Sequence, residues 1–197
     1  KLQIFIGDLL TGGSSYSPPN TGDFTLYAQW TANPLTVTYD SQGGSAVSSG
    51  STVTDGSIAS SPGTPTRAGY SFAGWFAASS GGSAITFPYT HGRTSNFTLY
   101  AQWTGNTNTV TYDSQGGSAA SSASWVTGTS LTLPATPTRS GYTFNGWYTA
   151  TSGGSRVGGG GDSYSPANTA NFTLYAQWSA NQYVYDGNSG TGSTASQ

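Results

Sequence analysis

Few side chains in this sequence could carry out catalysis, and the histidine is the first to consider. The chain of 197 residues has one histidine, seven acidic residues and no cysteine. A Ser-His-Asp triad needs a histidine, so such a site could form only around His91. His91 follows Tyr89 and Thr90 and precedes Gly92 and Arg93, which is typical of a loop. We therefore interpret His91 as a solvated loop residue.

The aspartates favour turns over carboxylate chemistry. Asp40 and Asp113 each precede a Gly-Gly turn, and Asp186 precedes Gly187. An Asp at such a place most simply accepts hydrogen bonds from nearby backbone amides in an Asx turn. Calcium takes roughly six or more oxygen ligands, which one Asp per turn cannot supply, and paired acids for glycoside hydrolysis would have to come from distant loops. The sequence predicts no catalytic residue, no metal site and no cofactor.

Two kinds of covalent modification can be weighed from residue types. An intramolecular Lys-Asn crosslink is not expected, because Lys1 is the only lysine and glutamate is absent. Asn96-Phe97-Thr98 and Asn171-Phe172-Thr173 match the glycosylation sequon. Both also open a recurring strand motif, so we assign these asparagines a structural role first.

Composition bounds the class of protein. Aromatic residues make up 14% of the chain and charged residues only 6%, so the chain can bury a core. The net charge of -2 provides no basic surface, which argues against a nucleic-acid partner. No run approaches the roughly 20 apolar residues of a membrane span, so we expect no membrane insertion in this segment. With no disulfides, stability must come from packing.

The elements that position these side chains are strands, and one strand motif recurs. Phe-Thr-Leu-Tyr-Ala-Gln-Trp occurs unchanged at residues 24–30, 97–103 and 172–178. Its apolar residues alternate with Thr, Tyr and Gln, which is the period of a half-buried strand. We expect the recurring tryptophans in the core, not on a sugar-binding face, and the tyrosines Tyr27, Tyr100 and Tyr175 on the exposed face. The predicted core residues of all repeats are Phe24, Leu26, Trp30, Val37, Tyr39, Phe72, Trp75, Phe97, Leu99, Trp103, Val110, Tyr112, Phe144, Trp147, Phe172, Leu174 and Trp178.

Other marks recur with the same motif at an offset of about 73 residues, so the chain is an array. Thr36–Asp40 predicts an opening strand, and the stretch from Gly69 to Phe76 predicts another, with a bulge at Gly74 that brings Phe72 and Trp75 to one face. Gly158–Gly161 predicts a flexible insert. We expect four segments: residues 1–30 as the back half of a repeat, 31–103 and 104–178 as complete repeats, and 179–197 as a front half.

The ordered motifs resemble a known repeat. Residues 109–118, the stretch from Pro137 to Tyr148 and residues 172–178 together resemble the Listeria–Bacteroides repeat, also called the internalin B-repeat. The resemblance implies tandem modules of a bacterial surface or secreted protein. It also implies a mainly β fold of small β-grasp-like modules with about four strands each and at most one short helical turn per module.

The leading functional expectation is a non-enzymatic extracellular structural protein that acts as a spacer, stalk or filament body. Self-association or neighbouring repeats are the expected partners. The two end segments suggest head-to-tail polymerisation by strand addition. The expected assembly strands contain Leu2, Ile4 and Ile6 at one end and Tyr183, Val184 and Tyr185 at the other. The alternative is that the chain is a window of a longer array.

A binding module is the alternative from another functional class. An adhesin that recognises a glycan or a host protein would need an exposed aromatic patch in one repeat only. The Phe87-Pro88-Tyr89 segment has no counterpart in the second repeat and is the predicted place for such a patch.

Overall fold

The computed structural model describes residues 3–6, 8–10 and 28–182, with the backbone alone described for 3–6, 8–10 and 28–29. Every regular element in these ranges is a β-strand, which confirms the predicted mainly β fold. The strands are β1 (Gln3–Ile6), β2 (Asp8–Leu10), β3 (Ala28–Gln29), β4 (Pro34–Asp40), β5 (Gly50–Val53), β6 (Ser57–Ile58), β7 (Tyr70–Phe76), β8 (Tyr89–Thr90), β9 (Phe97–Gly105), β10 (Thr107–Asp113), β11 (Ala123–Val126), β12 (Leu131–Thr132), β13 (Tyr142–Tyr148), β14 (Arg156–Gly158), β15 (Ser163–Tyr164) and β16 (Phe172–Ala180).

The chain divides into two compact units, each with its own core. Unit 1 comprises residues 1–67 and 72–103, and unit 2 comprises residues 68–71 and 104–197. Unit 1 contains the opening-strand and closing-strand motifs of the first repeat, and unit 2 contains those of the second.

The main sheet of unit 1 has a parallel pair at its centre. Its order is β5-β4-β9-β7, with β4 parallel to β9 and antiparallel to β5. Leu35, Val37 and Tyr39 alternate with exposed residues along β4, so one face of this strand is buried. The parallel register places Val37 opposite Phe97, which brings the apolar faces of the opening and closing strands together. A two-stranded sheet of β6 and β8 completes the unit.

Unit 2 has the same arrangement with one more strand. Its main sheet has the order β11-β10-β16-β13-β14, and β12 pairs with β15 in a separate ribbon. β10 and β16 are parallel, with Val110 opposite Phe172 and Tyr112 opposite Leu174. This mixed sheet agrees with the expected small β-grasp-like module.

A bulge brings two aromatic residues of one strand to the same face. The pairing of β13 with β16 shifts register between Phe144 and Gly146, and both Phe144 and Trp147 pack in the core of unit 2. Gly146 has a φ of +135° and Gly74 has a φ of +130°. Residues with a Cβ rarely adopt such values, so glycine is needed at the bulge. The bulge predicted at Gly74 has this equivalent in unit 2.

Tryptophan rings organise both cores. Trp147 is fully buried, with its ring centroid 5.1 Å from Tyr112 and 5.7 Å from Phe144. Trp75 is 1% exposed and lies 5.1 Å from Tyr39 and 5.6 Å from Phe72. All four contacts are edge-to-face, the geometry that aromatic quadrupoles favour.

Residues 3–6, 8–10 and 28–29 form a three-stranded sheet of order β2-β1-β3. Ile4 pairs with Ala28 as Trp147 pairs with Ala176, so β1 and β3 have the backbone register of β13 and β16. Ile4 pairs with Leu10 of β2 on one side and with Ala28 of β3 on the other, and Ile6 pairs with Asp8 of β2. The assembly role of Ile4 and Ile6 stays a prediction. Among the described residues, β2 and β3 are the two edge strands of this sheet. Leu2, Tyr183, Val184 and Tyr185 lie outside the described residues.

Trp30 departs from its predicted place in the core. It is 77% exposed, whereas Trp103 and Trp178 are partly buried against the cores of their units. In the complete repeats a Gly-Gly turn from the front half covers the tryptophan, and the described residues provide no such turn for Trp30. Phe24 and Leu26 lie outside the described residues.

The glycine run of unit 2 is packed, contrary to the expected flexible insert. Gly158 is buried at the end of β14, and a Cβ there would lie 2.7 Å from Cδ1 of Leu133. The Gly161 amide donates to the Leu133 carbonyl, and the Leu133 amide donates to the Asp162 carbonyl. The glycines allow the backbone to approach Leu133 closely, so their role is packing.

Candidate functional site

The most regular polar site of each repeat is the turn after the opening strand. The Asp40 carboxylate accepts a hydrogen bond of 2.9 Å from the Gln42 amide, and Asp113 accepts one of the same length from Gln115. These are the predicted Asx turns. The turn carbonyl of Ser41 then accepts a hydrogen bond of 2.9 Å from the Trp103 indole. Each turn therefore connects the opening strand to the end of the closing strand.

The second glycine of each turn makes room for the indole. A Cβ on Gly117 would lie 2.5 Å from Cζ2 of Trp178, well inside van der Waals contact. Gly44 has the same relation to Trp103. The Trp178 indole donates to the Ser114 carbonyl over 3.0 Å, as its counterpart does in unit 1. The second glycine of each turn therefore packs directly against an indole. We call this glycine, the indole and the turn carbonyl that the indole binds the tryptophan clasp.

An arginine lies beside each turn. Arg139 donates through Nη1 to the Gln115 carbonyl over 3.1 Å, and its guanidinium carbon lies 3.9 Å from the ring centroid of Tyr142. In unit 1 the guanidinium of Arg67 lies beside Gly43. The arginine of the recurring Pro-Thr-Arg sequence thus supports the turn and, in unit 2, stacks on a tyrosine.

The asparagines and glutamines of the closing strand also bond within their own repeats. The Asn96 side-chain oxygen accepts a hydrogen bond of 2.7 Å from the Thr36 amide, and Asn171 accepts one of 2.8 Å from Thr109. Gln102 donates to the carbonyls of Ala78 and Gly81. Gln177 makes the same pair of bonds to Ala150 and Gly153. The two asparagines of the sequons therefore have the structural role expected of them.

Burial raises the pKa of the core tyrosines Tyr39 and Tyr112, because the phenolate would lose hydration. It also raises the pKa of Tyr164 for the same reason. The Tyr112 hydroxyl and the Trp147 indole nitrogen are buried with no hydrogen-bond partner among the residues that the structure describes. The core of unit 2 therefore contains two unpaired polar atoms on rings that touch.

A known family of repeats matches both units in sequence. The sequence model of the Listeria-Bacteroides repeat domain matches residues 36–102 and 109–177. The chain belongs to the Listeria-Bacteroides repeat family. Each match contains one opening strand, one bulged strand and one closing strand, so the family assignment and the two cores coincide.

Several curated proteins contain similar repeats. A protein of Evansella cellulosilytica with the provisional name of membrane protein is 37% identical over 85% of this chain. A second protein of that organism, provisionally named a Gly-rich membrane protein, is 33% identical over 97% of this chain. Internalin H of Listeria monocytogenes is 38% identical over 61% of this chain. The chain spans between 21% and 25% of the length of these three proteins.

The predicted core residues of the two Listeria-Bacteroides repeats lie in the two cores. The buried ones are Val37, Tyr39, Trp75, Leu99, Val110, Tyr112, Trp147 and Leu174. The partly buried ones packed against them are Phe72, Phe97, Trp103, Phe144, Phe172 and Trp178. Tyr100 and Tyr175, expected on the exposed face, are only partly exposed.

His91 distinguishes the first repeat from the second and is not the solvated residue that the sequence suggested. It is 9% exposed, and its ring centroid lies 4.9 Å from that of Phe97. The Arg93 amide donates to Nδ1 over 3.0 Å, so the proton of the neutral ring is on Nε2, which lies 3.0 Å from the Thr52 hydroxyl. Both ring nitrogens of His91 therefore contact residues of the same repeat, Thr52 and Arg93.

Trp125 takes the equivalent place in the second repeat. It lies on β11 where Thr52 lies on β5, it is 2% exposed, and its ring lies 5.8 Å from Phe172, the counterpart of Phe97. Its indole donates to the Thr129 carbonyl. A histidine with a threonine in one repeat and a tryptophan in the other thus fill the same space. Sequence reasoning missed Trp125 because this strand has only short apolar alternation.

The predicted aromatic patch of the first repeat is mostly internal. Phe87 and Tyr89 are partly buried against the core of unit 1, and Pro88 between them is exposed. Tyr89 also lies on β8, which pairs with β6. These contacts leave little aromatic surface in this segment for a ligand.

The acidic side chains of the described residues do not gather into a metal site. Among the described residues, no group of three or more His, Cys, Asp or Glu side chains could hold a metal ion. Asp162 accepts a hydrogen bond from the Gly159 amide instead. Within the described ranges no helix is long and apolar enough to cross a membrane.

Proposed function

We propose that these repeats form a non-enzymatic spacer of a bacterial surface protein. The observation that carries this proposal is the set of hydrogen-bond partners of the recurring side chains. The indoles of Trp103 and Trp178, and the amides of Gln102 and Gln177, all bond to carbonyls of their own repeat. The residues that are identical in the two repeats therefore stabilise their own module, as a spacer requires.

The comparisons support a place at the cell surface. Internalin H is similar to 61% of this chain, and two further relatives carry provisional names as membrane proteins. We propose that the chain is extracellular and acts as a stalk between an anchoring region and a distal domain. Its reach would then increase with the number of repeats.

A reach assay tests the spacer role. The chain is displayed on a bacterial surface between a wall anchor and a short epitope, beside a version that lacks residues 104–178. We expect weaker antibody binding to the epitope in the shortened version. An unrelated folded module of similar length, inserted in place of residues 104–178, should restore binding. Failure of that replacement would mean that the repeats do more than extend.

A second candidate function is head-to-tail assembly, favoured by two observations near the first segment. β3 lies at the edge of its sheet, and Trp30 is 77% exposed beside it. In the complete repeats a parallel opening strand with its Gly-Gly turn occupies these places. Such a strand from residues 179–197 of another copy would pair with β3 and cover Trp30.

Mass photometry over a concentration series tests this assembly. We expect the full chain to form oligomers that a variant lacking residues 179–197 cannot form. Trp30→Phe should weaken the association without removing it. If the deletion variant associates as the full chain does, strand addition between copies is wrong.

The adhesin alternative stays a prediction. It requires a ligand surface other than Phe87 and Tyr89, which pack on the core. Binding of the chain to immobilised glycans or host proteins would support this alternative. Binding that survives replacement of all exposed aromatic residues would contradict the expectation that an aromatic patch holds the ligand.

A further inference from the structure

Unit 2 contains a short turn, Ala68–Ser71, that precedes the rest of the unit in sequence. The Asn106 amide donates to the Gly69 carbonyl over 2.9 Å. The Ser71 hydroxyl donates to the Asn106 side-chain oxygen over 2.7 Å. These two bonds attach the turn to the segment that leads into β10.

The other side of this turn is closely covered. A Cβ on Gly69 would lie 2.9 Å from Cγ2 of Thr127 and 2.8 Å from Cβ of Thr169. The Tyr70 hydroxyl lies 2.5 Å from the position that a Cβ on Gly128 would occupy. A Thr-Gly turn at residues 127–128 therefore fits over a Gly-Tyr turn at residues 69–70.

The second repeat carries the same Gly-Tyr turn with the same attachment, but no described residue covers it. The Asn181 amide donates to the Gly141 carbonyl over 2.9 Å, and the Thr143 hydroxyl donates to the Asn181 side-chain oxygen over 2.7 Å. A Cβ on Gly141 would meet no atom of the described residues within 4 Å, and Tyr142 is 39% exposed. The Arg139 guanidinium against its ring holds this tyrosine in place.

We propose that the Gly141-Tyr142 turn is a docking site for the Thr-Gly turn of a further Listeria-Bacteroides repeat. The docked repeat would cover Tyr142 as Thr127 and Gly128 cover the Gly69-Tyr70 turn within unit 2. The inference rests on the proposed function, since it needs the repeats to stand in an array, and it specifies how one repeat recognises the next.

The residue opposite the tyrosine hydroxyl decides which repeat can dock. In unit 1 the turn equivalent to 127–128 is Thr54-Asp55, because the Thr54 amide donates to Asn33 as the Thr127 amide donates to Asn106. Asp55 has a φ of +54° and Gly128 a φ of +86°, so both turns are left-handed. The Asp55 side chain starts where the tyrosine hydroxyl would lie. The site therefore selects a repeat with glycine at this position and excludes a repeat of the unit 1 type.

Nitration of tyrosine by tetranitromethane, read by peptide mass spectrometry, tests the docking site. The test uses an extended chain in which residues 179–197 are replaced by a further copy of residues 104–197. In this added copy Tyr142 is replaced by Phe, so that its peptide differs in mass from the peptide that contains the original Tyr142. We expect the nitration rate of the original Tyr142 to fall from its value in the parent chain to that of Tyr70. An unchanged rate would overturn the proposal.

Two variants separate docking from simple lengthening. Gly128→Asp in the added copy should return the nitration rate of Tyr142 to its value in the parent chain, because the Asp side chain would occupy the space that the Tyr142 hydroxyl needs. Gly128→Asp in the parent chain should raise the rate of Tyr70 while that of Tyr142 stays constant as the internal reference. Asp55 shows that an aspartate can occupy this left-handed turn. Equal protection with aspartate and with glycine would refute the selection rule.

The docking and spacer proposals can fail independently. The nitration rates report local cover in the isolated protein, whereas the surface display assay reports reach. Epitope binding that does not weaken when residues 104–178 are removed, together with normal protection of Tyr142 in the extended chain, would contradict the spacer role alone. Weaker epitope binding in the shortened version, together with an unprotected Tyr142 in the extended chain, would contradict docking alone.

Discussion

The tryptophan clasp of unit 2 can be tested with one methyl group. Gly117 has a φ outside the left-handed region, so Gly117→Ala brings no backbone strain. The added Cβ would lie 2.5 Å from Cζ2 and 3.1 Å from Cη2 of Trp178, while carbon atoms pack best at about 3.5 to 4.0 Å. The indole must therefore move away from the turn.

The expected cost follows from the two contacts that the indole would lose. Its 3.0 Å hydrogen bond to the Ser114 carbonyl contributes about 1 kcal/mol. Its edge contact with Phe144, at 5.3 Å between ring centroids, contributes about 1 kcal/mol more. Alanine in place of glycine restricts the unfolded chain, which offsets about 0.5 kcal/mol. We expect Gly117→Ala to lower the free energy of unfolding of unit 2 by roughly 1.5 kcal/mol.

A double-mutant cycle isolates the clash. Phenylalanine has no atoms at the places of Cζ2 and Cη2, so in the Trp178→Phe background Gly117→Ala should leave the free energy of unfolding unchanged or raise it slightly. Gly116→Ala is the matched control, because Gly116 has a φ of +83° and no atom of Trp178 within contact. Its cost comes from the backbone and should be equal in both backgrounds.

Urea unfolding followed by hydrogen exchange and mass spectrometry measures these effects unit by unit. Peptides from residues 107–178 report the change, and peptides from residues 34–103 are the internal reference. A cost of Gly117→Ala that is equal in the Trp178 and Trp178→Phe backgrounds would refute the clasp as the reason for the second glycine.

The remaining predictions concern the two cores. His91→Ala should lower the free energy of unfolding of unit 1 by about 2 to 3 kcal/mol, because it removes ring packing and two hydrogen bonds; an equal loss in unit 2 by peptide hydrogen exchange would contradict this. Tyr112→Phe should raise the urea midpoint of unit 2 by removing an unpaired buried hydroxyl, at a gain of about 1 kcal/mol, with Tyr39→Phe as the matched change in unit 1. Burial raises the pKa of both tyrosines from the ordinary value of 10.0, so these tyrosines ionise first in the unfolded chain. Their contribution to stability is fully present below pH 10 and is lost as pH rises through the folded pKa. A urea midpoint that does not fall between pH 9 and pH 11.5 would refute that assignment.

Much of the fold was predictable because the repeats reinforce one another. The alternation of the closing strand, the paired glycines after Asp40 and Asp113, and the parity break at Gly74 each pointed to a local geometry that the structure contains. Such features depend on neighbouring residues and on strand period, which sequence displays directly.

The errors arose where a side chain's environment comes from distant strands. His91 looks solvated beside Gly92, yet Thr52 and Phe97 enclose it. The glycine run at 158–161 looks flexible, yet it packs against Leu133. Trp30 carries the same motif as its counterparts and is exposed, because the described residues provide no turn to cover it. Neither composition nor spacing contains these contacts.

The sequence by itself determined the repeat period, the strand faces, the turn chemistry and the family. These depend on local backbone preference and on the alternation of apolar residues. Only the tertiary structure decided which glycine faces an indole, which repeat buries a histidine where the other buries a tryptophan, and which Gly-Tyr turn is covered. Those outcomes depend on close packing between segments that are mostly distant in the sequence, where a single Cβ or hydroxyl determines whether two surfaces meet.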